Sequence, residues 1–134
     1  MKIFFVHDYQ EADDERVRWL EQAGYEVRMF KGSIELGVAL RDQDPDLLLL
    51  DVLIEGKNGF ETAREIGLKH PEREFPIVLC TRIYRGRQFG VEAQRCGVQA
   101  FVLLPKPEKE FVRRIKQAIA HFVPAQERDL GEAA

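Results

Sequence analysis

Two acidic residues stand where apolar runs end. Asp51 follows the four leucines 47–50, and Asp8 follows the run 3–6 after His7. Short apolar runs without polar interruptions are typical of strands that are buried on both faces of a parallel sheet. Ligands of such sheets bind beyond the carboxyl ends of the strands. If the two strands are neighbours, both carboxylates face one crevice and suit a hard cation such as Mg²⁺.

A carboxylate beside a divalent cation can attack a phosphoryl group, because the cation neutralises the charge that develops on the phosphoryl oxygens. Thr81 ends a further apolar run, and Lys106 follows another one within two residues. A hydroxyl and an ammonium group at neighbouring strand ends would hold those oxygens. The competing interpretations are that Asp51 only caps a turn and that the Thr81 hydroxyl only satisfies local backbone groups.

Strands and helices must alternate along the chain to bring these groups together. Apolar runs predict five strands, at 3–6, 25–30, 47–50, 75–80 and 100–104. Helical spacing of apolar residues predicts five helices, at 9–23, 33–41, 60–69, 85–96 and 111–122, with Ser33 as the cap of the second. Crossovers of this length give a doubly wound α/β fold with a parallel sheet. The strand order 2-1-3-4-5 would make the strands of Asp8 and Asp51 neighbours.

The composition excludes several classes of protein. With 134 residues, 45% of them hydrophobic, the chain fits one domain with one core. The formal net charge of -3 argues against direct binding of nucleic acid or of a membrane surface. Cys80 and Cys96 belong to no Cys/His cluster, so neither a zinc site nor a disulfide framework is predicted. Since no apolar stretch approaches the roughly 18–20 residues of a membrane span, we expect a cytoplasmic protein.

The order and spacing of these motifs resemble the receiver domain of two-component response regulators, which has the CheY-like (flavodoxin-like) fold. The resemblance extends over about residues 2–123, and each motif is weak alone. The motifs are Phe-Val-His-Asp at 5–8, Gly-Tyr-Glu-Val at 24–27, Pro-Asp-Leu-Leu-Leu-Leu-Asp at 45–51 with Gly59, Phe-Pro-Ile-Val-Leu-Cys-Thr at 75–81, and Gly97 with Phe101. We therefore expect a receiver domain over residues 1–123 and a flexible tail over 124–134.

The resemblance implies a role for five residues. Asp51 would be the phosphoacceptor and Asp8 a direct ligand of Mg²⁺, with the backbone carbonyl of Leu53 as a further ligand. Thr81 would donate a hydrogen bond to the phosphoryl group. Phe101 would be the rotating aromatic that couples the site to the face formed by helix 4, strand 5 and helix 5, although plain core packing is the competing interpretation of a buried aromatic ring.

The sequence departs from the family pattern at His7 and at the lysine position. His7 stands where receivers usually have a second acid, and a neutral imidazole should weaken Mg²⁺ binding because it is a poor ligand for so hard an ion. The family's lysine precedes a cis proline, and counting from Phe101 places Leu104 at that position. Lys106 comes two residues late. Either a longer loop lets Lys106 reach the site, or the lysine is lost.

An arginine cluster follows Thr81, at a place where the family usually has a small residue that admits the phosphodonor. Arg82 would either block the entrance or replace the missing lysine at the phosphoryl oxygens. Arg85 and Arg87 are interpreted as members of a solvated basic loop.

The leading hypothesis is a receiver that takes a phosphoryl group from a histidine kinase or a phosphotransfer protein onto Asp51. It would signal in trans, unless the chain is part of a longer protein, to a downstream protein that binds the face of helix 4, strand 5 and helix 5. A homodimer is left open. The alternative is a pseudo-receiver, an interaction module that works without phosphorylation. An enzyme is disfavoured because no catalytic motif is present, and slow self-dephosphorylation would be the only catalysis.

Overall fold

The computed structural model describes residues 1–7 and 14–124. Over these residues, five strands and five helices alternate, as the sequence predicts. The strands are β1 (Lys2–Val6), β2 (Glu26–Phe30), β3 (Leu47–Asp51), β4 (Ile77–Thr81) and β5 (Ala100–Leu103). The helices are α1 (Glu15–Gln22), α2 (Ser33–Asp42), α3 (Gly59–Lys69), α4 (Arg87–Arg95) and α5 (Glu108–His121).

The five strands form one parallel sheet in the order β2-β1-β3-β4-β5. The predicted doubly wound α/β fold and its strand order are therefore confirmed. Val6 at the end of β1 pairs with Leu50, and Thr81 at the end of β4 pairs with Leu103. The carboxyl ends of the central strands thus lie at one edge of the sheet, where Asp51 is the last residue of β3.

The leucine run is continuous because both faces of β3 are covered. Leu48 and Leu50 pack in the cluster formed with α2, α3 and α4, whereas Leu47 and Leu49 pack in the cluster formed with α1 and α5. All four leucines are completely buried. This alternation follows from the two-residue period of a strand.

The structure corrects some predicted element ends. Helix α2 is capped by Gly32, which offers no side chain, and Ser33 is the first helical residue rather than the cap. Strand β4 begins only at Ile77, because the preceding Pro76 has no N–H to donate to a neighbouring strand. The predicted start of the first helix, residues 9–13, lies outside the described residues. No helix in the described part of the chain has both the length and the apolar character needed to cross a bilayer.

The start of α3 rests directly on the end of β3. Asn58 caps this helix, and its side-chain oxygen accepts a hydrogen bond from the N–H of Glu61 at 2.9 Å. A Cβ atom at Gly59 would lie 2.4 Å from the backbone oxygen of Asp51 and 3.0 Å from the Cα of Val52. Only glycine therefore lets the helix approach the strand end that carries Asp51.

We expect Gly59→Ala to lower the free energy of unfolding by about 1–3 kcal/mol, because the added methyl group would push α3 away from β3. Urea denaturation followed by circular dichroism measures this change.

Gly67→Ala is the matched control, since it lies in the same helix and its Cβ would meet none of the described atoms within 4 Å. We expect this variant to be more stable by about 0.5–1 kcal/mol, because alanine favours a helix interior. Equal effects of the two substitutions would contradict the close approach at Gly59.

Candidate functional site

A cavity of about 360 Å³ opens beside Asp51 at the carboxyl edge of the sheet. Four of the residues singled out from the sequence line it, namely Asp51, Leu53, Thr81 and Arg82. They meet because parallel strands end at the same edge and because the loops after β3 and β4 continue from that edge. Asp51 itself is buried, with 8% of its surface exposed.

Arg16 holds the carboxylate of Asp51 by two hydrogen bonds. Its Nη1 donates to Asp51 Oδ1 at 2.5 Å, and its Nη2 donates to Asp51 Oδ2 at 3.0 Å. The same guanidinium binds Asp14, with Nε donating to Oδ1 at 3.0 Å and Nη2 donating to Oδ2 at 2.7 Å. One cation thus neutralises charge on two carboxylates, in the forked geometry that arginine makes with them.

The start of α1 places Arg16 in this position. Asp14 is the cap of the helix, and its Oδ1 accepts a hydrogen bond from the backbone N–H of Arg16 at 2.9 Å. The carboxylate of Asp14 therefore fixes both the backbone and the side chain of Arg16. Helix α1 packs its Leu20 against the sheet, which directs the first turn towards the end of β3.

The surroundings protect this group of charges from water. Arg16 is 7% exposed, and its guanidinium carbon lies 4.7 Å from the centre of the Phe5 ring. The Cys80 thiol lies 3.3 Å from Arg16 Nη1 and donates to Asp51 Oδ1 at 3.4 Å. Because these side chains are mostly buried, their pairing is stronger than it would be on the surface.

The pKa values of three groups reflect this environment. Burial raises the pKa of the Cys80 thiol, and the nearby charge of Asp51 raises it further, so the thiol stays protonated. Burial opposes the charge of Arg16, but the hydrogen bonds to Asp14 and Asp51 and the charge of Asp51 outweigh it and raise the pKa of Arg16. Burial likewise opposes the charge of Asp14, yet the hydrogen bonds and charge of Arg16 hold its pKa below the ordinary value of 3.8.

The Thr81 hydroxyl makes local hydrogen bonds. Its oxygen accepts from the backbone N–H of Ile83 at 3.1 Å and from that of Tyr84 at 3.2 Å, and the residue is buried. These contacts fix the start of the β4–α4 loop. They are the contacts expected from the competing interpretation of Thr81, although the residue also lines the cavity.

The lysine position of the family falls on Leu104, not on Lys106. Leu104 precedes a cis peptide bond to Pro105, and its side chain is buried at the wall of the cavity. Lys106 is not among the described residues that line the cavity, and its Nζ lies 3.8 Å from a carboxylate oxygen of Glu110 in α5. Lys106 thus lies outside the cavity lining in this structure, and the role predicted for it stays a prediction.

Arg82 and Arg85, which follow β4, lie in different surroundings. Arg82 stands at the rim of the cavity, where it pairs with Glu15 at 3.5 Å and leaves about half of its side chain exposed. Arg85 is exposed, as expected of a solvated loop, and its Nη1 also donates to the backbone oxygen of Leu104 at 2.6 Å. This bond connects the β4–α4 loop to the end of β5.

Phe101 is half-buried in a group of aromatic rings. Its ring stacks on Phe60 of α3 with 6.0 Å between the ring centres, and Phe60 stacks on Phe89 of α4 at 6.4 Å. Tyr84 meets Phe89 edge to face at 5.1 Å. The rings join β5, α3, α4 and the loop after Thr81, so the packing interpretation accounts for Phe101 in this conformation. Its rotation stays a prediction.

Binding of Mg²⁺ beside Asp51 stays a prediction. Mg²⁺ prefers several oxygen ligands in octahedral geometry, and both carboxylate oxygens of Asp51 accept hydrogen bonds from Arg16. Within residues 1–7 and 14–124, no group of three His, Cys, Asp or Glu side chains could hold a metal ion. Asp8, predicted to be a ligand, lies outside the described residues.

Sequence reasoning missed Asp14 and Arg16. The missing lysine could have pointed to Arg16, because Leu104 in its place leaves Asp51 without the cation that the family resemblance leads us to expect. A cation from elsewhere in the chain was then required, and an arginine two residues after a capping aspartate was a candidate.

The chain is similar in sequence to a known protein family and to characterised relatives. The family model of the response regulator receiver domain matches residues 3–116. The chain is 31% identical over 122 residues to the DNA-binding transcriptional regulator NtrC of Escherichia coli K12, covering 86% of this chain and 25% of the relative. It is 27% identical over 106 residues to the phosphate regulon transcriptional regulatory protein PhoB of Pseudomonas aeruginosa, covering 78% and 45%. The chain thus spans between a quarter and a half of the length of these relatives.

A solved structure has the same fold. The crystal structure of a CheY-like response regulator receiver domain protein from Methanospirillum hungatei superposes with a TM-score of 0.76, covering 89% of this chain and 93% of that chain. At 21% sequence identity this likeness concerns the fold alone.

We expect Arg16→Met to lower the free energy of unfolding by about 3–5 kcal/mol, because it leaves two buried carboxylates without their cation. Chemical denaturation measures the loss. Arg64→Met is the control, since Arg64 pairs with Glu92 at 2.7 Å with about half of its side chain exposed. We expect a loss of less than about 1 kcal/mol there. Similar losses in both variants would contradict a special role of the buried pair.

The contribution of Asp14 should depend on pH. Because its pKa is lowered in the folded state, its charge stabilises the fold above the ordinary value, and this stabilisation is lost as the pH falls through the folded-state pKa. Asp14→Asn keeps a capping side chain but removes the charge. We therefore expect the variant to be less stable than the wild type at about pH 6 and the difference to shrink below about pH 3. A difference that is constant between these pH values would contradict this prediction.

Proposed function

Because the chain belongs to the response regulator receiver domain family, we propose that it works as a signalling module that binds a partner protein without phosphorylation of Asp51. The observation that carries the proposal is the pair between the Arg16 guanidinium and the Asp51 carboxylate. Both oxygens of the would-be nucleophile accept hydrogen bonds from one buried cation.

This pair opposes phosphoryl transfer in two ways. A carboxylate that attacks phosphorus must donate electron density from one oxygen, and the bidentate contact with Arg16 draws on both oxygens of Asp51 and lowers their nucleophilicity. The reaction also needs positive charge at the phosphoryl oxygens, whereas the charge of Arg16 is already shared between Asp51 and Asp14. Separating a buried pair costs about 3–5 kcal/mol when one partner is left uncompensated, so the chain's own cation keeps Asp51 in an unreactive state.

The other groups that would hold a phosphoryl group are also changed. Leu104 presents a hydrocarbon side chain at the cavity wall, where the family resemblance leads us to expect an ammonium group. The Thr81 oxygen accepts two backbone hydrogen bonds. Arg82 is a further cation that lines the cavity, and it is paired with Glu15 at the rim. These contacts support a site that no longer depends on Mg²⁺ or on a phosphodonor.

A second candidate function is the phosphoacceptor of a two-component system, and the cavity beside Asp51 favours it. The cavity has room for a small phosphodonor, with Thr81 and Arg82 among its lining residues. In this case a histidine kinase or a phosphotransfer protein supplies the phosphoryl group, and the output face comprises α4, β5 and α5. Arg16 would then have to leave Asp51 before the transfer.

Treatment with acetyl phosphate or beryllofluoride in the presence of Mg²⁺ distinguishes the two candidates. We expect no adduct by intact mass spectrometry and no Mg²⁺-dependent change in the amide NMR spectrum of the wild type, because Arg16 occupies Asp51. An adduct on the wild type that disappears in Asp51→Ala would contradict the proposal and support the phosphoacceptor.

The double variant Arg16→Ala/Leu104→Lys tests the cause. It frees the Asp51 carboxylate and adds an ammonium group at the cavity wall, so we expect it to gain an adduct if circular dichroism confirms that it is folded. A folded double variant that still forms no adduct would show that the pair with Arg16 is not what prevents phosphorylation.

A further inference from the structure

A groove of about 640 Å³ runs between α1 and α5, away from the carboxyl edge of the sheet. The term α1–α5 groove denotes the surface formed by Trp19 of α1, by Ala23 directly after α1, and by Lys109, Val112, Arg113 and Lys116 of α5. The residues from α5 follow the spacing i, i+3, i+4 and i+7, so they lie along one stripe of the helix. This stripe is next to the core-facing side chains of α5, which are Phe111, Ile115 and Ala118.

The floor of the groove is apolar and held in place. The Trp19 ring packs against the buried ring of Phe111, with 5.8 Å between the ring centres and 55° between the planes. Trp19 and Val112 are nevertheless both partly exposed. A tryptophan that is fixed on one side and open on the other is the kind of residue that carries binding energy in protein interfaces.

The walls of the groove carry positive charge that no carboxylate of the described residues pairs with. Lys109, Arg113 and Lys116 are exposed, and none of them makes an ion pair with a carboxylate in the described part of the chain. One acid, Glu108, lies at the end of the groove. The chain as a whole has a formal net charge of -3, so this basic surface is opposite in sign to the rest of the molecule.

We propose that the α1–α5 groove binds an acidic amphipathic helix of a partner protein. The apolar side of such a helix would pack on Trp19 and Val112, and its carboxylates would face Lys109, Arg113 and Lys116, as in other helix-in-groove complexes. The fourteen residues of α5 extend over about 21 Å at 1.5 Å per residue, which matches three to four turns of a bound helix. A nucleic acid would use the three cations but would leave the apolar floor without a matching surface.

This inference rests on the proposed function in one respect, which is that the partner is a protein. The groove and the cavity at Asp51 have no lining residue in common among the described residues. Either proposal can therefore fail while the other holds.

Trp19 is the only tryptophan of the chain, and its fluorescence reports directly on the groove. The probe is a synthetic helical peptide of about 14 residues, with leucine along one face and glutamate along the other. We expect the emission of Trp19 to shift to shorter wavelength as the peptide covers it, with an affinity that weakens as salt is added.

Charge reversal at the wall tests the assignment to this groove. We expect Lys116→Glu to weaken binding of the peptide by about tenfold, and Val112→Asp to weaken it at least as much because it places a charge on the apolar floor. Lys31→Glu is the matched control, since Lys31 is exposed in the turn before α2 and outside the groove. We expect its affinity to stay within about twofold of the wild type.

Several outcomes would overturn the inference. These are an unchanged Trp19 emission at millimolar peptide, equal binding of a peptide with lysine in place of glutamate, and equal loss of affinity in Lys31→Glu and Lys116→Glu. Displacement of the peptide by an equal concentration of a single-stranded oligonucleotide would indicate a general polyanion surface instead. Treating the same samples with acetyl phosphate separates the two proposals, because an adduct with intact peptide binding would contradict only the proposed function.

Discussion

The electrostatics of this domain depend on one guanidinium between two carboxylates. Asp14 and Asp51 are both buried, and buried charges are costly unless they are paired and hydrogen-bonded. Arg16 meets that requirement for both acids at once, and the ring of Phe5 and the thiol of Cys80 complete its surroundings. The position of α1 on the sheet and the hydrogen bonding of the Asp51 carboxylate are therefore coupled. A shift of the first turn of α1 would also move Arg16 away from Asp51.

Much of the fold could be predicted from the sequence because its signals are local. An unbroken leucine run requires cover on both faces, and the alternation of strands and helices then fixes a parallel sheet. The grouping of Asp51, Leu53, Thr81 and Arg82 followed from the same argument, since strand ends and the loops after them share an edge. Element ends were less predictable, because caps such as Gly32 and the missing N–H of Pro76 act within one or two residues.

The long side chains could not be predicted in the same way. Arg16 lies 35 positions before Asp51 in the chain, and no periodicity indicates where a flexible guanidinium will find its partner. The same holds for Arg85, which binds the carbonyl of Leu104, and for Lys106, which turns towards Glu110. Which acceptor each of these side chains binds depends on the tertiary arrangement of the backbone. The role predicted for Asp8 stays a prediction.

The carboxylate of Asp14 has a consequence for how the domain opens. It binds both the backbone N–H and the guanidinium of Arg16. The first turn of α1 therefore holds the guanidinium that covers Asp51. Helix ends open locally at a much smaller free-energy cost than the whole domain. Release of Asp51 from Arg16 is therefore governed by fraying of a single helical turn, and hydrogen exchange of the backbone amide of Arg16 would report on that fraying.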